Sequence, residues 1–214
     1  MRGIGRELAR QYAAGGHRVI GTFRHADDGR QLEALGARAL RADVLVEGWA
    51  AALGHELNDE TLDLVIISAG ISGPQSSQPE APDRAAFDAV MHTNVLTSMQ
   101  LIPVISERLP AGGKLAVISS RMGSIGTASD ASWWLYRASK AALNSVLKSA
   151  SIGLGARGVV CMALHPGWVQ TDMGGPDAQL RVPESVTSMR RVIAAANRSH
   201  NGRFLNYSGE QLEW

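Results

Sequence analysis

Short aliphatic, β-branched runs alternate with segments of helical period along this whole chain, and that alternation confines it to an α/β architecture with a mainly parallel sheet. Ile4 to Ala14 reads as a helix stopped by Gly15-Gly16, and His17 to Phe23 as the strand after it. A short helix over Asp28 to Leu35, a strand over Ala37 to Arg41, a helix over Glu47 to Leu57 and a buried strand over Leu62 to Ile67 continue the pattern. Pro82 to Leu109 predicts a long helical stretch interrupted or bent near Pro103, because proline removes a helix hydrogen bond and clashes with the preceding turn. Lys114 to Ile118 is a strand, Ser132 to Ala156 a second long helix, and Val159 to Leu164 a strand closed by Pro166-Gly167. Trp168 to Pro183, rich in Gly and Pro, predicts a mobile loop, followed by a helix over Glu184 to Ala196 and a short strand over Arg203 to Asn206.

At 214 residues and 45% hydrophobic, the chain has enough apolar material for one core, so residues 1–214 are expected to form a single domain. A net charge of +1 without a basic block gives no reason to expect a nucleic-acid partner. The one cysteine, Cys161, excludes an internal disulfide and fits a reducing compartment; its apolar run predicts inert burial. There is no run of 18 apolar residues and no signal-peptide core, so the expectation is a soluble cytoplasmic protein with no membrane partner. The six histidines lack metal-ligand spacing, and no metal is expected.

The chemistry concentrates around Tyr136 and Lys140. Four apart on a helix, they share one face and can reach one ligand. An unperturbed tyrosine titrates near ~10, and a neighbouring ammonium favours its ionised form. Alone, the spacing is weak evidence, since Tyr and Lys four apart are more often mere neighbours on a solvated helix. At the other end, Gly3-Ile4-Gly5 opens the first helix. This is either an ordinary flexible terminus or the remainder of a glycine turn that lets backbone amides approach a pyrophosphate.

Four further segments fall in a consistent order. They are Ala42-Asp43-Val44 after a strand, Ser68-Ala69-Gly70 ending the next, Asn94-Val95 inside the long helix, and Ile118-Ser119-Ser120 closing another strand. Tyr136-x-x-x-Lys140 and Pro166-Gly167-Trp168-Val169-Gln170-Thr171 follow. Together with Gly3-Ile4-Gly5 the set resembles the short-chain dehydrogenase/reductase family over essentially the whole chain. Ser119 to Ile125 and Gly202 to Tyr207 resemble its C-factor/sniffer-like carbonyl reductase branch.

The resemblance implies a Rossmann fold with seven parallel strands and a Ser-Tyr-Lys-Asn site. Tyr136 would be the catalytic acid/base, and Lys140 would hold the nicotinamide ribose and lower the tyrosine's pKa. Ser120 would hydrogen-bond the substrate carbonyl oxygen, and Asn94 would anchor a water in a proton relay to Lys140. Negative charge builds on a carbonyl oxygen as hydride reaches its carbon, and two hydroxyl donors in a dry site stabilise it.

For the cofactor, Arg24 follows the second expected strand, where an arginine accommodates the 2′-phosphate of NADP. Arg2 matches a second basic position of NADP-preferring relatives, so NADPH and carbonyl reduction are expected. Gly3, Ile4 and Gly5 would face the pyrophosphate, Asp43 and Val44 the adenine, and Ala69 and Gly70 the adenosine ribose. Pro166, Gly167, Val169 and Thr171 would approach the nicotinamide, with Thr171 on its carboxamide. Trp133, Trp134, Trp168, Met122 and Met173 either line a pocket for a small apolar aldehyde or ketone or fill core or a subunit contact. A homodimer or homotetramer is expected from the resemblance alone.

In the family's sheet order the first strand is central, yet the strand and first glycine that would precede Gly3 are absent from this sequence. The expectations left open are a fragment or mis-started reading of a complete enzyme, a position filled by another segment, and a member without catalysis. A dinucleotide-binding or signalling protein with little turnover therefore stands as the alternative to the enzyme.

Overall fold

The computed structural model describes residues 3–214, so Arg2 lies outside the described residues. Seven strands alternate with seven α-helices: α1 (Gly3–Ala14), β1 (Ile20–Phe23), α2 (Ala26–Glu33), β2 (Arg38–Arg41), α3 (Trp49–Glu56), β3 (Leu64–Ile67), α4 (Arg84–Met91), α5 (Thr97–Ser106), β4 (Lys114–Ile118), α6 (Trp134–Ala156), β5 (Val160–His165), α7 (Val182–Ala195), β6 (Arg203–Asn206) and β7 (Gln211–Leu212). No helix among the described residues is long and apolar enough to cross a membrane.

The layering follows from the period-2 alternation of the central strands. Leu115 and Val117 of β4, with Cys161 and Ala163 of β5, face one side and pack against α3, α5 and α6 through Leu53, Ile105, Leu143 and Leu147. Ala116 and Ile118, with Val160, Met162 and Leu164, face the other side and meet α1 and α7 through Leu8, Val186, Met189 and Ile193. A sheet covered by helices on both faces is the doubly wound α/β arrangement expected. Cys161 lies in this core with its thiol pushed up to about 11 by burial.

The sheet is divided. β1 pairs in parallel with β2, and β3, β4, β5 and β6 pair in parallel in that order. Among the described residues nothing pairs with the remaining edge of β1 or of β3. The consequence appears in burial: Ile67 is the one buried residue of those two strands, whereas four residues of β4 and five of β5 are buried. The two parts stay close at their amino ends, where Arg18 (ahead of β1) and Arg38 (in β2) both pair with Glu60 (ahead of β3).

Three expectations need correcting. The long helical stretch is not interrupted at Pro103, which sits inside α5; the irregularity is a π turn over His92–Leu96. There the Thr97 N–H reaches back five residues to the His92 carbonyl, which also accepts from the Thr97 hydroxyl at 3.2 Å. Six strands are parallel rather than seven, because β7 is a short antiparallel addition to β6. Residues 168–183 are pinned rather than mobile. Val169 bridges Leu180, the Gln170 N–H donates to the Leu180 carbonyl at 2.8 Å, and the Trp168 indole N–H donates to the Gly174 carbonyl at 2.7 Å.

Candidate active site

Tyr136 and Lys140 lie in the first two turns of α6, one turn apart on the same face. The Lys140 ammonium is 5.7 Å from the centre of the Tyr136 ring and donates to the Ile118 carbonyl, at the end of β4, at 2.9 Å. Beyond Ile118 the chain leaves the strand through Ser119 and Ser120, and the Ser120 hydroxyl accepts from the Met122 N–H at 3.2 Å to cap a 3₁₀ turn over Arg121–Gly123. α6 presses so closely on this turn that a Cβ on Gly123 would lie 2.7 Å from the Lys140 backbone. That contact brings Ser120 beside Tyr136. The three side chains therefore converge at the carboxyl end of β4.

The electrostatics differ from the expectation. Burial raises the Tyr136 pKa above its usual value of 10.0, and the neighbouring Ser120 hydroxyl only partly opposes it. Lys140 does not lower it in this structure, because the lysine is itself fully enclosed and burial brings its pKa down to about 8. Desolvation thus shifts each group toward its neutral form, while Lys140 remains a cation at neutral pH.

Asn94 sits at the centre of the π turn and is almost wholly buried. Its Oδ1 accepts from the Ile71 N–H at 2.8 Å, while its Nδ2 donates to the Ile71 carbonyl at 2.9 Å and to the Ser139 hydroxyl at 2.8 Å. The amide is thus spent on fixing the segment after β3 to α6. Ser139 and Asn144 were not singled out in the sequence, yet both are buried supports. Ser139 donates to the Tyr136 carbonyl at 2.8 Å; Asn144 accepts from Ser119 at 2.6 Å and donates to the Gly123 carbonyl at 3.2 Å. Ser139 lies between Tyr136 and Lys140, and Asn144 one turn further along α6, so helical spacing was the available signal.

The remaining expected residues gather around the carboxyl ends of the strands. Gly3 starts α1 with φ +56, and a Cβ there would lie 3.3 Å from the Thr171 methyl, so the helix start meets the loop after β5. Ile4 turns its side chain into the core, and Gly5 follows in the first turn. Arg24 is exposed at the end of β1, its Nε donating to His25 at 3.0 Å. The Asp43 carboxylate accepts from the Leu45 N–H at 3.1 Å, and the Val44 carbonyl accepts from His92 at 2.8 Å. Ala69 is exposed, and a Cβ on Gly70 would stand 3.3 Å from the Lys140 ammonium and 3.4 Å from Asn94 Oδ1. Pro166 accepts from Ser185 at 2.6 Å, Gly167 lies against Tyr207 and Val169 is buried. The Thr171 hydroxyl is held between the Val169 carbonyl and the Gly174 N–H. His165, at the end of β5, is half-buried with its Nδ1 enclosed and without a partner, and desolvation beside Arg121 brings its pKa down to about 4.

Two clefts of about 480 and 530 Å³ lie at the opposite, amino-terminal edge of the sheet around Arg157 and touch none of these residues. Among the described residues no group of three His, Cys, Asp or Glu side chains is placed to hold a metal.

A family model described as Enoyl-(Acyl carrier protein) reductase matches residues 1–205. The C-signal protein of Myxococcus xanthus is 41% identical over 155 residues, which are 72% of this chain and 93% of that protein. Among solved structures, a short-chain dehydrogenase/reductase from Burkholderia multivorans with bound NADP superposes with a TM-score of 0.91 at 32% identity, covering 100% of this chain and 95% of that one. The carbonyl reductase Sniffer of D. melanogaster gives a TM-score of 0.88 at 28% identity, covering 100% and 96%.

Proposed function

The chain belongs to the short-chain dehydrogenase/reductase family, and from that premise we propose that it is an NADPH-dependent reductase of small apolar aldehydes or ketones. The observation that carries the reading is the convergence of Tyr136, Lys140 and Ser120 at the end of β4. The residues present fit a dinucleotide. Gly70 leaves backbone open where a side chain would crowd Lys140 and Asn94, exposed Arg24 offers a cation for a 2′-phosphate, and the first turn of α1 would turn its N–H groups toward a pyrophosphate. Gly3, Gly5, Asp43, Val44, Ala69, Gly70, Pro166, Gly167, Val169 and Thr171 would hold the rest. The NADP-bound Burkholderia structure supports the same cofactor.

Bound NADPH would supply the hydride, and with one proton from the protein the carbonyl becomes an alcohol. Tyr136, kept neutral by burial, is the proton donor to the carbonyl oxygen, and Ser120 donates a second hydrogen bond to that oxygen. Lys140 is cationic below about 8 and passes a proton back toward the phenolate as it forms. Because the Asn94 side chain is engaged, a relay water would be held by its backbone carbonyl within the π turn, a helical form common at functional sites. Pairing of two copies through α4, α5 and α6 belongs to the same reading, supported by the exposed apolar side chains of Phe87, Met99 and Ile152.

NADPH oxidation against a panel of aldehydes and ketones tests the proposal, with turnover expected to fall by about 10²-fold or more in Tyr136→Phe. Equal turnover in the variant overturns the mechanism. A second reading, a dinucleotide-binding protein with little turnover, rests on the divided sheet. NADPH binding by the wild type without reduction of any carbonyl would favour it.

A further inference from the structure

Among the described residues Trp133 is the one non-glycine with positive φ (φ 57, ψ 33). It is the residue from which α6 starts, three positions before Tyr136. An L-residue rarely adopts this conformation, and such residues persist where the surroundings over-determine them. Here they do. The Trp133 N–H donates to the Ser76 carbonyl at 2.8 Å and the Trp134 N–H to the Ser76 hydroxyl at 3.3 Å, while the Trp133 carbonyl accepts from the Arg137 N–H at 2.9 Å. Arg137 also holds the preceding residues, through the Ser132 carbonyl at 2.7 Å and Asp130 at 2.6 Å.

The indole is half-buried yet belongs to none of the three apolar clusters of the core, so it is not core filler. Its centre lies 6.4 Å from that of the Tyr136 ring with the planes at 67°. Two rings so inclined form a corner. A flat ring stacked on one meets the edge of the other, the geometry aromatic groups favour, whereas a flexible chain gains less from it.

Resting on the reductase reading above, we infer that Trp133 is a specificity-determining residue that selects planar, aromatic carbonyl substrates over straight-chain ones of similar size. The strained backbone fixes the indole against the reacting phenol, and the loop bearing Ser76 fixes the backbone.

The test compares benzaldehyde with hexanal in the wild type, Trp133→Gly and Trp133→Phe. Glycine removes the ring and accepts positive φ, whereas phenylalanine keeps a flat ring. The benzaldehyde-to-hexanal ratio of kcat/KM is expected to fall about tenfold in Trp133→Gly, mainly through KM, and to be partly kept in Trp133→Phe. The Trp133→Gly melting temperature is not expected to fall. An unchanged ratio, whether both substrates lose equally or neither does, overturns the inference. Saturation-transfer NMR with acetophenone on the same three proteins gives a readout without turnover. Disappearance of the acetophenone ring signal in Trp133→Gly supports the inference even if no carbonyl is reduced and the reductase reading fails; a ring signal as strong as that of the wild type overturns it.

Discussion

The Lys140 ammonium donates to the main-chain carbonyl of Ile118 at 2.9 Å while standing 5.7 Å from the centre of the Tyr136 ring. Strand end, helix and phenol are thus joined through one buried cation. Burial lowers its pKa from 10.5 to about 8, so the folded protein binds this proton less tightly than the unfolded chain. At neutral pH the cation costs roughly 3 kcal/mol. The unfolded chain holds more protons between pH 8 and 10.5, so the stability of the wild type rises with pH across that window. Lys140→Met removes the cost but orphans the Ile118 carbonyl, for a net gain of about 2 kcal/mol or roughly 5 °C in Tm. Thermal melts from about pH 7 to 10 check this: the variant should be more stable near pH 7, lack this rise, and reduce no carbonyl.

Asn94 offers the opposite case, a site residue that stabilises. Its three hydrogen bonds, two part-buried ones to Ile71 and a buried one to Ser139, predict that Asn94→Ala costs about 3 kcal/mol. The two Ile71 groups lose their shared partner, so hydrogen exchange should accelerate at Ile71 before it does in β4. Equal acceleration throughout the sheet would instead mean global destabilisation.

How much of this was legible in the sequence depends on whether a feature is local. The strands and helices were, because apolar runs such as Val160 to Leu164 fit only a strand buried on both faces. So was the grouping of Tyr136, Lys140 and Ser120 as a candidate site, since a four-residue helical spacing and a strand-end Ser119-Ser120 are local patterns. The π turn around Asn94 was not: it coincides with side-chain bonds from Asn94 to Ile71 and Ser139 that no local pattern encodes. The pKa of Tyr136 was misjudged because burial, a tertiary quantity, outweighs a lysine that is itself desolvated.

His165 predicts an acid sensitivity. Desolvated beside Arg121, with pKa about 4 against an ordinary 6.5, it stays neutral in the folded protein while the unfolded chain takes up a proton. Its contribution is complete above pH 6.5 and is lost as pH falls toward 4, a change of about 2–3 kcal/mol. His165→Gln, which does not titrate, should flatten urea-derived stability over that interval. A slope identical to wild type would assign the acid sensitivity to other groups.

The edges of β1 and β3, unpaired among the described residues, predict that the fold accepts one more parallel strand. Each edge presents backbone groups that water satisfies less well than a neighbouring strand would, and the half-buried Leu64, Val65 and Ile66 still have apolar area to cover. Because α1 leads directly into β1, an extension ahead of Gly3 by five β-branched residues would enter the gap running parallel to both neighbours, with its carboxyl end at the Gly3 turn beside Thr171. About four new backbone hydrogen bonds at ~1 kcal/mol each, with the apolar cover, should raise Tm by about 10 °C. They should also slow amide exchange in β1 and β3 without changing β6. A second extension carrying proline at its centre, which removes a ladder donor, should give little of either effect. Equal stabilisation by the two would mean that the added residues settle elsewhere and that the gap between Phe23 and Ile67 is closed to a strand.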